Sequence, residues 1–113
     1  MSERRKTRAP NAVAKTVAKP EPPELARLRR RIDALDRRIV VLLNERAELG
    51  REVGRAKQAA GRRSVRDLER EREVLLRVAL ANLGPLAQAD LLAIYRRLIA
   101  ATRAVEDRDR GEP

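Results

Sequence analysis

The residues best suited to chemistry are charged side chains that interrupt an apolar pattern. Between residues 25 and 60, apolar residues recur at alternating steps of three and four, the spacing of one face of a helix. Arg46 occupies one position of this series, between Leu42 and Leu49. Because a buried charge is costly unless it is paired, we expect a protein carboxylate or an anionic ligand opposite Arg46.

Other helical segments carry similar interruptions. Lys57 lies eleven residues beyond Arg46 and returns to nearly the same face, about 16 Å along the axis. Glu71 stands on the apolar line of a second helix, and Thr102 and Glu106 end that of a third. One interruption is usually structural, and an Arg46–Glu71 ion pair bridging two helices is a fair alternative. Interruptions on all three helices favour a polar cavity in a bundle, where we expect positive groups to outnumber negative ones and the ligand to be an anion.

Arg29 lies beside the same apolar face near the start of the first helix. It is about 25 Å from Arg46 along that helix. One small ligand cannot touch both side chains in one chain, so if both serve an anion site, Arg29 must serve one completed by another chain. The spacing therefore suggests a helical dimer with two composite sites.

The elements that position these residues are predicted to be three α-helices, over about 24–60, 64–83 and 86–106. Ser64 followed by Asp67 resembles a capping box that starts the second helix, and Gly84-Pro85 ends it. Gly50 and Gly54 either let another backbone or a ligand approach closely or are merely tolerated. The long first helix needs packing along its whole length, so the expected fold is an all-α, three-helix chain in an intertwined homodimer.

Composition narrows the chemistry of this 113-residue chain. It has no Cys and no His, which excludes disulfides, zinc sites and any Cys or His nucleophile or base. We expect no metal site. No apolar run approaches membrane-spanning length and the N-terminus lacks a hydrophobic signal core, so we expect a cytoplasmic protein without a membrane partner.

Charge leaves one alternative open. The net charge is +10, and six basic against two acidic residues give residues 1–23 +4 of it. We expect 1–23 to be a disordered basic tail, 24–107 a helical domain and 108–113 a polar C-terminal tail. A basic helical nucleic-acid-binding dimer is the rival to a small polyanionic substrate, although nucleic acid is the less favoured partner. Such a protein would carry basic residues on outer faces and have no use for a polar cavity.

Four segments match a known family: residues 28–36, 42–46, 53–57 and 65–71. In order along the chain, they contain Arg29, Arg46, Lys57 and the motif Arg66-Asp67-x-x-Arg70-Glu71. With these residues the segments resemble the all-helical (AroQ class, type II) chorismate mutases over roughly residues 25–106. That resemblance implies an intertwined dimer of three-helix chains that rearranges chorismate to prephenate in aromatic amino-acid biosynthesis, without a cofactor. No fused partner domain is visible, so we expect a monofunctional chain.

The resemblance also implies roles for the basic residues. Arg46 and Lys57 would bind the substrate from one chain, and Arg29 would reach in from the other. The two arginines would hold the two carboxylates, and Lys57 would contact the ether oxygen whose bond breaks. Such a rearrangement needs orientation and cationic donors at that oxygen, not a nucleophile.

The remaining implied positions are on the second and third helices. Asp67 and Glu71 would face the substrate hydroxyl, with Arg70 supporting that helix turn. Thr102 and Glu106 stand where the family most often has Ser and Gln, and Glu106 would meet the ether oxygen. An ionised Glu106 would repel that oxygen, so we expect catalysis to decline as the pH rises through the pKa of this group in the complex.

Two departures and one rival enzyme remain. Ser64 stands where relatives often have Pro, and Glu106 replaces Gln. Isochorismate pyruvate lyase shares the fold and the basic site, and the loop between the first two helices would have to distinguish the two activities.

Overall fold

The computed structural model describes residues 20–62 and 67–109. These residues form three α-helices and no strand: α1 Pro23–Ala59, α2 Leu68–Ala81 and α3 Gln88–Asp109. The prediction of an all-α chain with one long N-terminal helix is confirmed. The described chain divides into two compact units, one up to Arg38 and one from Ile39. The tail predictions fall mostly on residues 1–19 and 110–113, which lie outside the described residues.

Both ends of α1 have a local cause. Pro23 is its first residue, where a missing N–H costs nothing, and the Pro22 carbonyl accepts a hydrogen bond from Ala26 N at 3.0 Å. At the other end, Gly61 has a φ of 77°. Its N–H donates to Gln58 O, and that of Arg62 donates to Lys57 O, which is a Schellman motif. This ending places the Lys57 side chain in the last turn, where a cation is favoured by the helix dipole.

Residues 20–38 hold the beginning of α1 and interact only locally in the contacts the structure describes. Arg27 pairs with Glu24 at 2.7 Å, and Arg29 Nε pairs with Glu21 Oε2 at 2.9 Å. The apolar face of this stretch is open to solvent: Ile32 is 55% exposed and Leu35 51%. The periodic apolar residues therefore have the predicted spacing but are not buried.

The start of α2 corrects one prediction. Asp67 is the N-cap, and its side-chain oxygen accepts a hydrogen bond from Arg70 N at 3.0 Å. The proposed cap Ser64 lies outside the described residues. Asp67 satisfies an unpaired N–H of the first turn by itself, so α2 begins at Leu68 and not near residue 64.

The turn between α2 and α3 is held by amide side chains. Asn82 Nδ2 donates to Leu86 O and to Gln88 Oε1, and Gln88 Nε2 donates to Ala79 O. Gly84 takes a φ of 85°. Helix α3 then continues three residues beyond the predicted end at Glu106, because Asp109 on its last turn pairs with Arg51 at 2.7 Å.

Within residues 39–109, α2 packs on α3, and the second part of α1 contacts α3. The two helices lie close together at Gly50, where an added Cβ would collide with Thr102 Cγ2. Gly54 and Thr102 are the buried residues of their helices. Of the two interpretations of the glycines, close approach is therefore the correct one at Gly50.

Hydrophobic burial is incomplete throughout the described chain. No hydrophobic residue in it is buried, and Leu42 and Leu49, which flank Arg46, are 55% and 61% exposed. None of its helices combines the length and the apolar character that a membrane span needs.

Candidate active site

A pocket of about 300 Å³ lies among α1, α2 and α3 within residues 39–109. Its apolar lining is Leu49, Gly50, Val53, Val74 and Ile99, and its polar lining is Arg46, Lys57, Asp67, Arg70, Glu71, Thr102 and Glu106. Seven of the eight side chains selected from the sequence thus meet in one cavity. A basic helical protein that binds nucleic acid by its outer faces has no use for such a polar cavity, so that alternative is the weaker one.

Arg46 reaches the pocket from α1 and is held from α3. Its Nη1 donates to Thr102 Oγ1 at 3.3 Å, and its Cζ lies 5.8 Å from the centre of the Tyr95 ring. A guanidinium over an aromatic face is stabilised by the ring quadrupole. Thr102 can make its bond because Gly50 lets α1 approach α3 so closely. These contacts orient the guanidinium and leave donors available for an anion.

Glu71 reaches the pocket from the first turn of α2. Its Oε2 accepts a hydrogen bond from Arg103 Nη1 of α3 at 2.6 Å. Both side chains are largely shielded from solvent, with exposures of 25% for Arg103 and 19% for Glu71. This ion pair joins the helix that carries Glu71 to the one that carries Thr102 and Glu106.

Asp67 and Arg70 are committed to the local structure of α2. Asp67 caps the helix through its bond to Arg70 N, and Arg70 Nη1 donates to Glu73 Oε1 at 2.6 Å. That hydrogen bond, with the positive charge of Arg77, holds the pKa of Glu73 below its ordinary range. Both residues line the pocket while they support its α2 wall.

Lys57 and Glu106 complete the pocket at the end of α1 and towards the end of α3. Both are partly exposed. The Glu106 side chain lies along Gly54, and a Cβ at Gly54 would be 3.6 Å from Glu106 Cγ. Glu106 therefore packs beside α1 at Gly54, at a distance that would still admit an alanine Cβ.

The charge balance of the pocket differs from the expectation. Three lining residues are cationic, namely Arg46, Lys57 and Arg70, and three are acidic, namely Asp67, Glu71 and Glu106. The expected excess of positive groups is therefore wrong for the described lining. Arg63 and Arg66 belong to the connection outside the described residues. Any further cation at this pocket would have to come from outside the described lining.

Arg29 is the predicted site residue that this pocket does not include. It lies in residues 20–38, its side chain is 63% exposed, and it pairs with Glu21. Its assignment to a site shared with another chain stays a prediction.

Sequence reasoning missed two side chains next to the pocket. Arg103 was one of many charged residues with no periodic signal, although its place directly after Thr102 put it near the site. The contact of Tyr95 with Arg46 was likewise not foreseen. Both contacts join positions far apart in sequence, so they depend on how two helices pack.

The comparisons with known proteins decide the family. A model of chorismate mutase type II matches residues 28–107, which include every predicted site residue. The chain belongs to the type II chorismate mutase family. A solved structure of chorismate mutase (form II) from Thermus thermophilus is similar to it with a TM-score of 0.71 and 29% identity, covering 75% of this chain and 96% of that one.

Sequence relatives in the family are bifunctional enzymes. The chain is 38% identical over 87 residues to the bifunctional chorismate mutase/prephenate dehydratase of Aquifex aeolicus, covering 74% of this chain and 24% of the relative. It is 47% identical over 76 residues to that of Escherichia coli K12, covering 67% of this chain and 19% of the relative. This type II chorismate mutase chain thus spans a quarter or less of the length of these two relatives.

Proposed function

We propose that this chain rearranges chorismate to prephenate in aromatic amino-acid biosynthesis, in the pocket formed by Arg46, Lys57, Glu71, Thr102 and Glu106. The observation that carries the proposal is the convergence of these polar side chains, from three helices, on one partly apolar cavity. Chorismate is a dicarboxylate with an ether bond, a ring hydroxyl and apolar ring faces. In this cavity Arg46 can hold one carboxylate, and Lys57 can contact the ether oxygen. Glu71 can accept a hydrogen bond from the hydroxyl, and the apolar lining can face the ring.

The first requirement of the reaction is that the bound substrate is held in its reactive conformation. The flexible side chain of chorismate must fold over its ring so that one C–C bond forms while one C–O bond breaks. The apolar lining from Leu49, Val53 and Ile99 can confine the molecule, and a guanidinium fixed by Thr102 and Tyr95 can hold a carboxylate through two parallel hydrogen bonds. Holding the reactive shape removes an entropic part of the barrier.

Charge then stabilises the transition state. Negative charge grows on the ether oxygen as the C–O bond lengthens, and a cation already in place there lowers the energy of the transition state more than that of the bound substrate. We assign this role to Lys57. Glu106 assists from α3 only when its carboxyl group is protonated and donates a hydrogen bond.

The proposal includes a second copy of the chain that supplies Arg29. Three observations support it. The described lining has balanced charges, so a dianion needs a further cation. The apolar face of residues 20–38 is open to solvent, and a groove of about 790 Å³ is lined in part by Val40, Val41 and Val105. A partner chain would cover these surfaces while it brings Arg29 to the pocket.

Purified protein tests the activity directly. Chorismate should be consumed, with loss of its diene absorbance and formation of prephenate, and isochorismate should serve as the parallel substrate. Release of pyruvate from isochorismate with no turnover of chorismate would transfer the assignment to the lyase reaction. Turnover of neither would refute both.

Subunit mixing tests the composite site. Arg29→Ala and Arg46→Ala should each be inactive alone, because every site lacks one arginine. In a randomly exchanged mixture half of the dimers are mixed and one of their two sites is intact, so activity should return to about a quarter of wild type. No recovery after verified exchange would mean that both arginines serve the same chain or different steps.

A further inference from the structure

We propose that Arg103 is a positioning residue of this site, and that it holds the Glu71 carboxylate where it accepts a hydrogen bond from the ring hydroxyl of the substrate. The inference rests on the proposed function. It assigns Arg103 a role behind the pocket wall, because Glu71 lines the cavity and Arg103 does not.

Burial separates the Glu71–Arg103 pair from the surface ion pairs. The distance of 2.6 Å is that of a strong charge-assisted hydrogen bond. The side chains are 25% and 19% exposed, whereas those of the Arg77–Glu73 pair are 67% and 48% exposed. Reduced solvent screening makes a pair of this kind stronger than one on an open helix surface.

The pair also joins two walls of the site. Glu71 is in the first turn of α2, and Arg103 directly follows Thr102, which holds Arg46. A hydrogen bond between Glu71 and Arg103 therefore sets the distance between the α2 carboxylate and the α3 residues that face the same ligand. Its loss would free the Glu71 carboxylate to leave the position in which it faces the substrate hydroxyl.

Arg103 also has an electrostatic effect on the site. A dicarboxylate substrate repels the Glu71 carboxylate, which is needed as an acceptor for the hydroxyl. A cation 2.6 Å behind that carboxylate offsets the repulsion without occupying the cavity. Arg103 thus supplies positive charge that the described lining itself does not have in excess.

The experiment combines two variants of Arg103 with a matched control. Arg103→Met keeps the apolar stem and removes the charge, and Arg103→Lys restores a charge with fewer donors. Arg97→Met removes an exposed arginine from the same helix. We expect kcat/KM for chorismate to fall about 10- to 100-fold in Arg103→Met, to recover in part in Arg103→Lys and to stay unchanged in Arg97→Met.

Two further measurements separate positioning from folding. A substrate with hydrogen in place of the ring hydroxyl should be turned over equally by wild type and Arg103→Met, because nothing is left for Glu71 to accept. In the Glu71→Gln background, Arg103→Met should cause little further loss, since the two residues act as one unit. Thermal melting of each variant confirms that it is folded, and a Met variant that fails to fold leaves the same comparisons to Arg103→Lys.

Each result bears on one claim. A wild type that does not turn over chorismate refutes the proposed function, and with it the inference. An active wild type with equal losses on both substrates, or with additive losses in the double variant, refutes the role of Arg103 alone. An active wild type and a fully active Arg103→Met would do the same.

Discussion

Residues 20–38 and residues 39–109 use the same apolar periodicity with different results. In the first region the described ion pairs are local, between Arg27 and Glu24 and between Arg29 and Glu21. Ile32 and Leu35, on the apolar face of α1, are half exposed. In the second region ion pairs connect different helices, Gly54 and Thr102 are buried, and a pocket forms.

The difference shows that one helix serves two purposes. A long amphipathic helix is stable in water only when its apolar face packs against something. From residue 39 onward, α3 supplies part of that packing, and polar side chains between them form the site. The exposed apolar face of residues 20–38 indicates packing that the described chain does not provide. We propose that a second copy of the chain covers this face.

The largest expected effect comes from placing a charged residue on the exposed apolar face of residues 20–38. Leu35→Asp should dissociate the proposed dimer, since each copy loses about 2 kcal/mol of apolar burial. Two copies lose about 4 kcal/mol, which weakens the dimer roughly 1,000-fold. Sedimentation over a range of protein concentrations measures this. Ala34→Asp adds the same charge away from the apolar face and should remain dimeric. If the two variants behaved equally, the apolar face of residues 20–38 would not be the dimer contact.

Arg46→Lys tests the second region at its centre. Lysine keeps the charge but cannot form two parallel bonds to a carboxylate, nor bond to Thr102 in the same geometry. We expect kcat/KM for chorismate to fall at least ~100-fold, about 2.7 kcal/mol. Arg96→Lys on the exposed face of α3 is the control and should be fully active. An Arg46→Lys enzyme with activity close to wild type would contradict the carboxylate-binding role.

The two glycines of α1 form a matched pair for stability. Alanine at Gly50 collides with Thr102, and rotation of Thr102 would break its bond to Arg46. Overpacking costs about 1–3 kcal/mol, against a gain of about 0.5–1 kcal/mol in helix propensity. At Gly54 the new Cβ makes an ordinary contact at 3.6 Å, so only the gain should remain. Chemical denaturation should show Gly50→Ala less stable and Gly54→Ala at least as stable as wild type; the reverse order would mean that α1 and α3 do not approach as described.

Glu106→Gln examines one polar group of the pocket through pH. An amide donates a hydrogen bond at any pH, whereas a carboxyl group does so only when protonated. Wild-type kcat/KM should therefore decline with rising pH, and the Gln variant should keep activity with a flatter profile. The profiles are compared at constant ionic strength, because the substrate is charged. Parallel profiles would show that Glu106 takes no part in catalysis.

The smallest effect concerns the end of α3. A hydrogen bond from Arg51, with the charges of Arg51 and Arg55, holds the pKa of Asp109 below its ordinary range. A carboxylate whose pKa is lower in the folded state stabilises the fold above its unfolded pKa of about 3.9, and this stabilisation disappears as the pH falls through the lower, folded pKa. Asp109→Asn should melt at a lower temperature than wild type near neutral pH, and the gap should close in acid. Asp107→Asn, an exposed neighbour, should show neither effect.

Sequence reasoning succeeded where a feature depends on local spacing. Helices follow from steps of three and four residues, and Arg46, Glu71 and Thr102 were recognised because they break those steps. Side chains that replace apolar residues on several helices point inward together, so their meeting in one pocket follows from the same periodicity. The motif from Val65 to Glu71, with the basic residues before it, pointed to the family that the residue 28–107 match establishes.

What the tertiary structure alone decided is which side chain meets which. Asp67 rather than Ser64 caps α2, Arg103 from outside the pocket lining pairs with Glu71, and Asp109 on the last turn of α3 pairs with Arg51. The charge balance of the pocket also emerged only when its lining was known. Periodicity determines the face on which a residue lies, but the rotation and approach of two helices determine its partner. At Gly50, that approach depends on the absence of a single side chain.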